Sequence, residues 1–125
     1  MKMRASSFAD ADDIAAFERC KAQGHSDNYC FGFGDNAIGC FGDSTKEGTG
    51  PSCALHVSVI SAKWGSKSAG KHKQVNVRYG AKEVVCTLKD ICGKKDRIDL
   101  NPDAVLALGL VPPILVEVHW QWVTP

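Results

Sequence analysis

Apolar residues recur along this chain at two different periods. Between Asp10 and Gln23, Ile14, Phe17 and Cys20 fall at i, i+3 and i+6, one stripe of a helix. Asp10 is suited to cap that helix, Asp12 and Asp13 to its first turn, and Gly24 to its end. From Val57 onward the period shortens. Val57 and Val59 head a strand that is expected to run to Trp64. Val75, Val77 and Tyr79 alternate with polar partners, Gly80-Ala81 turns the chain, and Val84, Cys86 and Leu88 return on one face. Arg97–Leu100 reads as a short strand. Asn101 and Pro102 supply the N-cap and first residue of a short helix that ends near Gly109. In a last strand, Ile114–Val123, the residues Val116, Val118, Trp120 and Trp122 share one face, a pattern of core and inter-strand packing.

The stretch from His25 to Ser52 has neither period. It is rich in Gly, Asp, Asn, Ser and Thr, and its aromatic-glycine units, Phe31-Gly32-Phe33-Gly34 and Cys40-Phe41-Gly42-Asp43, read as loops with close backbone approaches. The run from Lys63 to Lys73 reads as a basic loop, either solvated or leaning on an anionic polymer.

Composition narrows the class. A chain of 125 residues, 44% hydrophobic and 23% charged, is an ordinary single globular domain. With 12 Gly and 5 Pro, long helices are excluded and a small β-rich domain is expected. Fifteen Lys and Arg against 14 Asp and Glu leave a net charge of +1, with no general attraction to nucleic acid. No segment approaches the ~20 apolar residues of a membrane span. Six cysteines (Cys20, Cys30, Cys40, Cys53, Cys86 and Cys92) lack the paired spacing of a zinc site, so no metal or cofactor is expected. Two or three disulfides are expected instead, with the pairing open; buried free thiols are the alternative. Met1-Lys2-Met3-Arg4 has a positive start, but Ala5 to Asp13 lacks the apolar core of a signal peptide. The expected setting is nonetheless extracytoplasmic, reached by a non-classical or phage-linked route.

The segment Val84-Val85-Cys86-Thr87-Leu88-Lys89-Asp90-Ile91-Cys92-Gly93, followed by Arg97-Ile98-Asp99-Leu100-Asn101-Pro102-Asp103-Ala104, Leu108-Gly109 and the strand Val116 to Trp122, resembles the double-psi β-barrel of expansins, barwin, barwin-like endoglucanases and the bacterial rare lipoprotein A domain. Cys53-Ala54-Leu55-His56 stands where rare lipoprotein A proteins carry an Ala-His unit. After Asp90 the chain has Ile-Cys-Gly in place of the Arg-Gly-Pro typical of that group. The resemblance implies a six-stranded double-psi β-barrel over residues 53–125. Residues 1–52 form an N-terminal helix and Gly-rich loop region packed on it, and one short helix precedes the last strand.

The resemblance also implies chemistry. Glycosidic cleavage needs a carboxylic acid to protonate the leaving oxygen and usually a second carboxylate. The position matching Asp99 is the proposed general acid of the family, and the one matching Asp90 a supporting acidic residue. Asp43 is the candidate for a second carboxylate, although Gly-Asp-Ser is also ordinary turn chemistry. Asp90 and Asp99 can equally cap turns or hold loop amides. His56 is a candidate partner of Asp90 or a structural histidine. Trp64, Tyr79 and Thr45 complete the candidate substrate contacts, since sugar C–H faces pack on aromatic planes. The expected function is cleavage of a cell-wall glycan, peptidoglycan, by a monomer. A non-catalytic polysaccharide-binding module, or a phage or assembly structural component of the same fold, is the competing expectation.

Overall fold

The computed structural model describes residues 1–123. Six strands close into a barrel: β1 (Lys2–Ser7), β2 (Ser52–Leu55), β3 (Gln74–Tyr79), β4 (Lys82–Ile91), β5 (Arg97–Leu100) and β6 (Leu115–Trp122), in the spatial order β1-β5-β2-β4-β3-β6. Two neighbouring pairs, β1/β5 and β2/β4, run parallel, and the other four are antiparallel. Parallel partners cannot be joined by a tight turn, so long connections carry the chain from one to the other. Three helices lie in them, α1 (Ala11–Ala22), α2 (Asp27–Cys30) and α3 (Val57–Trp64), and a fourth, α4 (Pro102–Ala107), lies between β5 and β6. Among the described residues, no helix is long and apolar enough to cross a membrane.

The barrel interior is filled by alternate residues from each strand. Ala5, Cys53, Leu55, Val75, Val77, Cys86, Leu88, Ile98, Leu100, Val118 and Trp120 form its core. Trp120 meets Trp122 edge to face at 5.5 Å, so the two C-terminal tryptophans pack as their alternation requires. β3 and β4 form the expected hairpin, with Gly80 at a positive φ of 59° between paired Tyr79 and Lys82.

Three expectations are corrected. First, the barrel does not begin at Cys53. Lys2–Ser7 is one of its staves, paired with β5 and β6. Its sequence, Lys-Met-Arg-Ala-Ser-Ser, has little apolar signal because only Ala5 is buried in the core. Second, Val57–Trp64 is a helix. The His56 ring Nδ1 accepts the Ser58 N–H at 3.1 Å, an N-cap, and Gly65 ends the helix at φ 91°. Its β-branched residues suit a strand, but packing of Ile60 and Trp64, one turn apart, overrides that propensity. Third, among the described residues one disulfide is formed, Cys20–Cys30, joining α1 to α2. Cys53 and Cys86 point into the barrel as free thiols, Cys92 is buried, and Cys40 is an exposed free thiol.

A buried amide anchors the long connection before β2. Asn101, fully buried, caps α4 by accepting the Ala104 N–H at 3.0 Å and also accepts the Ser52 N–H at 2.9 Å. Its amide donates to the carbonyls of Thr45 (3.0 Å) and Gly50 (2.9 Å).

Candidate active site

The site starts from strand alternation. Ile98 and Leu100 face the barrel interior, so Asp99 between them faces outward, and the same holds for Ala54 between Cys53 and Leu55. Along β4 the same rule would send Asp90 inward, because Leu88 two residues earlier is in the core. The β2/β4 register prevents this. Cys53 pairs with Leu88 but Ala54 pairs with Asp90, which leaves Lys89 as an extra residue in a β-bulge. The bulge turns Asp90 to the outer surface and Ile91 back toward the core.

Ser6, Asp99, Ala54 and Asp90 therefore form one row across β1, β5, β2 and β4. With strands about 4.8 Å apart, the backbones of Asp90 and Asp99 stand roughly 10 Å apart. Ala54, whose side chain is a single methyl group, is the strand residue between them. Ser6 Oγ donates a hydrogen bond to Asp99 Oδ1. Asp90 Oδ1 accepts the N–H groups of Ile91 (2.8 Å) and Cys40 (2.9 Å). Gly39 makes this possible: a Cβ there would lie 1.9 Å from the carbonyl oxygen of Lys89, the bulged residue.

α1 and the chain from Gly34 to Cys40 cover the row. Phe8, Ala9, Ala37, Ala54 and Cys92 form a second apolar cluster beneath them, with Ile14 packed on it. Gly34 lies so close to α1 that a Cβ would meet the Asp13 carbonyl oxygen at 2.4 Å. The Asp35 N–H donates to that same carbonyl at 3.1 Å. Two more carboxylates enter this way. Asp13 accepts the Ala9 N–H at 2.9 Å, and Asp35 accepts the Ala37 N–H at 2.5 Å.

Burial and mutual repulsion set the electrostatics. Burial, reinforced by the charges of Asp13, Asp90 and Asp99, pushes the Asp35 carboxyl up to about 6 against the Ala37 hydrogen bond. Burial also raises Asp90, opposed by its backbone hydrogen bonds and aided by Asp99. Asp13 is raised chiefly by burial, with Asp10 and Asp99 adding to it. The thiols beside the row stay protonated: burial pushes Cys92 up to about 12, and burial and Asp90 raise Cys40. A protonated thiol is no nucleophile. Asp35 and Asp90 open into a cleft of about 530 Å³, lined also by Phe31, Asn36, Cys40 and Ile91.

Of the residues singled out in the sequence, Asp90 and Asp99 are brought together. Asp43 is held elsewhere, against His72 Nε2 at 2.5 Å, whose hydrogen bond lowers its pKa. His56 spends Nδ1 on the Ser58 cap of α3. Trp64 packs its edge on Trp122 at 5.5 Å, with the Lys73 and Lys63 ammonium groups 4.6 Å and 5.4 Å from its ring centre. Tyr79 sits half-buried at the hairpin end of β3, at the far end of β4 from Asp90. Thr45 is fully buried, with its N–H on the Ala37 carbonyl, so it cannot meet a substrate. Asp13 and Asp35 had no distinguishing signal in the sequence, one reading as a first-turn helix residue and the other as a turn residue.

No protein-family model matches the chain, and neither does any curated protein.

Proposed function

We propose that this protein is a glycan-cleaving enzyme of the double-psi β-barrel type, acting on the peptidoglycan strands of the cell wall. One observation carries the reading: a carboxyl raised to about 6 (Asp35) shares an open cleft with a second carboxylate (Asp90), and a third (Asp99) stands in register behind them. A donor whose pKa lies near neutrality is efficient, because it is protonated often enough and gives its proton readily. Asp35 is the proton donor to the glycosidic oxygen. Asp90 is the carboxylate that activates water. Asp99, expected from the sequence to be the donor, acts through its charge, which raises both Asp35 and Asp90.

A non-catalytic polysaccharide-binding module is the second reading. The observation favouring it is that Asp13, Asp35 and Asp90 each accept a backbone N–H, as purely structural carboxylates do. The Cys20–Cys30 disulfide supports an extracytoplasmic setting under either reading.

The deciding experiment is the release of soluble muropeptides from purified peptidoglycan sacculi, read by mass spectrometry, for the native protein and Asp35→Asn. Reducing-end products from the native protein, lost in the variant, are expected. Absence of products while the protein pellets with sacculi supports the binding module, and full activity in Asp35→Asn overturns the assignment of the donor.

A further inference from the structure

Beside the acidic cleft the chain exposes three aromatic rings in quick succession. Tyr29, Phe31 and Phe33 are 50%, 47% and 61% exposed. They are ordered against one another: His25 stacks on Tyr29 at 4.2 Å, Tyr29 meets Phe33 at 5.1 Å, and Phe31 lies 5.1 Å from buried Phe17. Rings left in water give up the burial that would stabilise the fold, so an exposed cluster of this kind marks a binding surface.

The segment is also held rigidly. The Cys20–Cys30 disulfide ties it to α1, the N–H groups of Phe33 and Gly34 both donate to the Cys30 carbonyl, and Gly34 is wedged on the α1 backbone. A surface ordered before binding loses little entropy on binding. Between Tyr29, Phe33 and α1 runs a groove of about 310 Å³ bordered by Arg19 and Gln23.

The chemistry of the groove selects its occupant. Flat aromatic rings with a guanidinium and an amide at their margin match a sugar, whose C–H face packs on the ring while its hydroxyls take hydrogen bonds. A strongly anionic polymer would call for more than the single Arg19. The face and the cleft are neighbours along the chain: Phe31, two residues from both Tyr29 and Phe33, lines the cleft, and Asp35 follows Phe33 by two residues.

We propose that the His25–Tyr29–Phe33 face is a second carbohydrate subsite, one that holds a glycan strand beyond the cleavage point. It makes the protein act on polymer in preference to short oligosaccharides. The inference rests on the glycan reading of the acidic cleft and deepens it. The subsite contributes binding that is equal in ground and transition states, so its loss raises KM and leaves kcat unchanged.

The test is the double variant Tyr29→Ala/Phe33→Ala, compared with the native protein and Asp35→Asn for retention on purified sacculi and for muropeptide release. Both rings are exposed, and an unchanged circular-dichroism spectrum and melting curve verify the fold. The double variant is expected to lose about tenfold or more in retention and in product release at low substrate, with release recovering at high substrate. Asp35→Asn is expected to pellet normally and release nothing. If the native protein cleaves sacculi and the double variant is retained equally well, this inference is overturned while the cleavage reading stands. If the native protein neither cleaves nor pellets, both fall. A native dimer that the double variant abolishes without loss of retention assigns the face to a second copy of the chain, and likewise overturns the subsite.

Discussion

Asp90 of β4 and Asp99 of β5 stand opposite the same residue, Ala54 of β2, one on each side of it. The pairing of Asp90 depends on the bulge at Lys89. Without it, strict alternation would bury the Asp90 carboxylate in an apolar barrel, where an unpaired charge is strongly destabilising. The bulge thus converts a core position into a site position, and Gly39 is the residue that lets the covering chain fit over it.

Gly39→Ala tests that dependence. The new Cβ would collide with the Lys89 backbone, which cannot yield as a flexible side chain would. A loss of about 2–3 kcal/mol in unfolding free energy, measured by urea denaturation, is expected from such overpacking. Muropeptide release should fall with it, because the Cys40 N–H no longer reaches Asp90. A fully stable and active variant would mean that the covering chain does not sit where the contact places it.

The pH dependence follows from Asp35. Its folded-state pKa, about 6, lies above the ordinary 3.8, so the folded protein holds that proton more tightly than the unfolded chain does. Its contribution to stability is complete below about pH 4, declines as pH rises, and is lost above about pH 6. Discounted for partial exposure, the change amounts to about 2 kcal/mol. Asp13 and Asp90 shift in the same direction and add to it. Asp35→Asn, which retains an oxygen for the Ala37 N–H, should flatten the melting temperature between pH 4 and pH 7 and raise it at pH 7. Proton donation should fail over the same interval, so native activity is expected to decline as pH passes 6.

Asn101→Ala addresses the anchor rather than the site. The substitution removes the α4 cap and strands the Ser52 N–H and the Thr45 and Gly50 carbonyls. Losses of about 3 kcal/mol or more are expected by thermal or chemical denaturation. Asn101→Asp, which keeps the cap but forfeits both donated hydrogen bonds, should also destabilise. A neutral effect of Asn101→Ala would show that water satisfies the stranded groups.

Most of the regular structure was legible in the sequence because its signals are local. Period-two alternation marked β3, β4 and β6, and the Asn101-Pro102 pair marked the start of α4. The stripe Ile14, Phe17 and Cys20, with Asp10 ahead of it, marked α1. Each depends on residues a few positions apart, and the structure bears them out. β1 escaped because four of its six residues are polar or charged, and its place in the barrel comes from partners near the other end of the chain. α3 escaped because valine and isoleucine favour a strand until a capping histidine and a left-handed glycine close a helix around them.

The site divides along the same line. The spacing of Asp90 and Asp99 near the ends of two strands was visible from sequence alone, and so was the irregular, loop character of the Gly-rich segment, though not the exposure of its aromatic rings. Only the tertiary structure decided that a bulge turns Asp90 outward, that Asp35 rather than Asp43 joins it, and that Asp13 closes the group. Those outcomes rest on contacts between residues tens of positions apart and on the burial those contacts create. A carboxylate's neighbours and its pKa are properties of the folded surroundings, whereas a strand's alternation and a helix's cap are properties of a few adjacent residues.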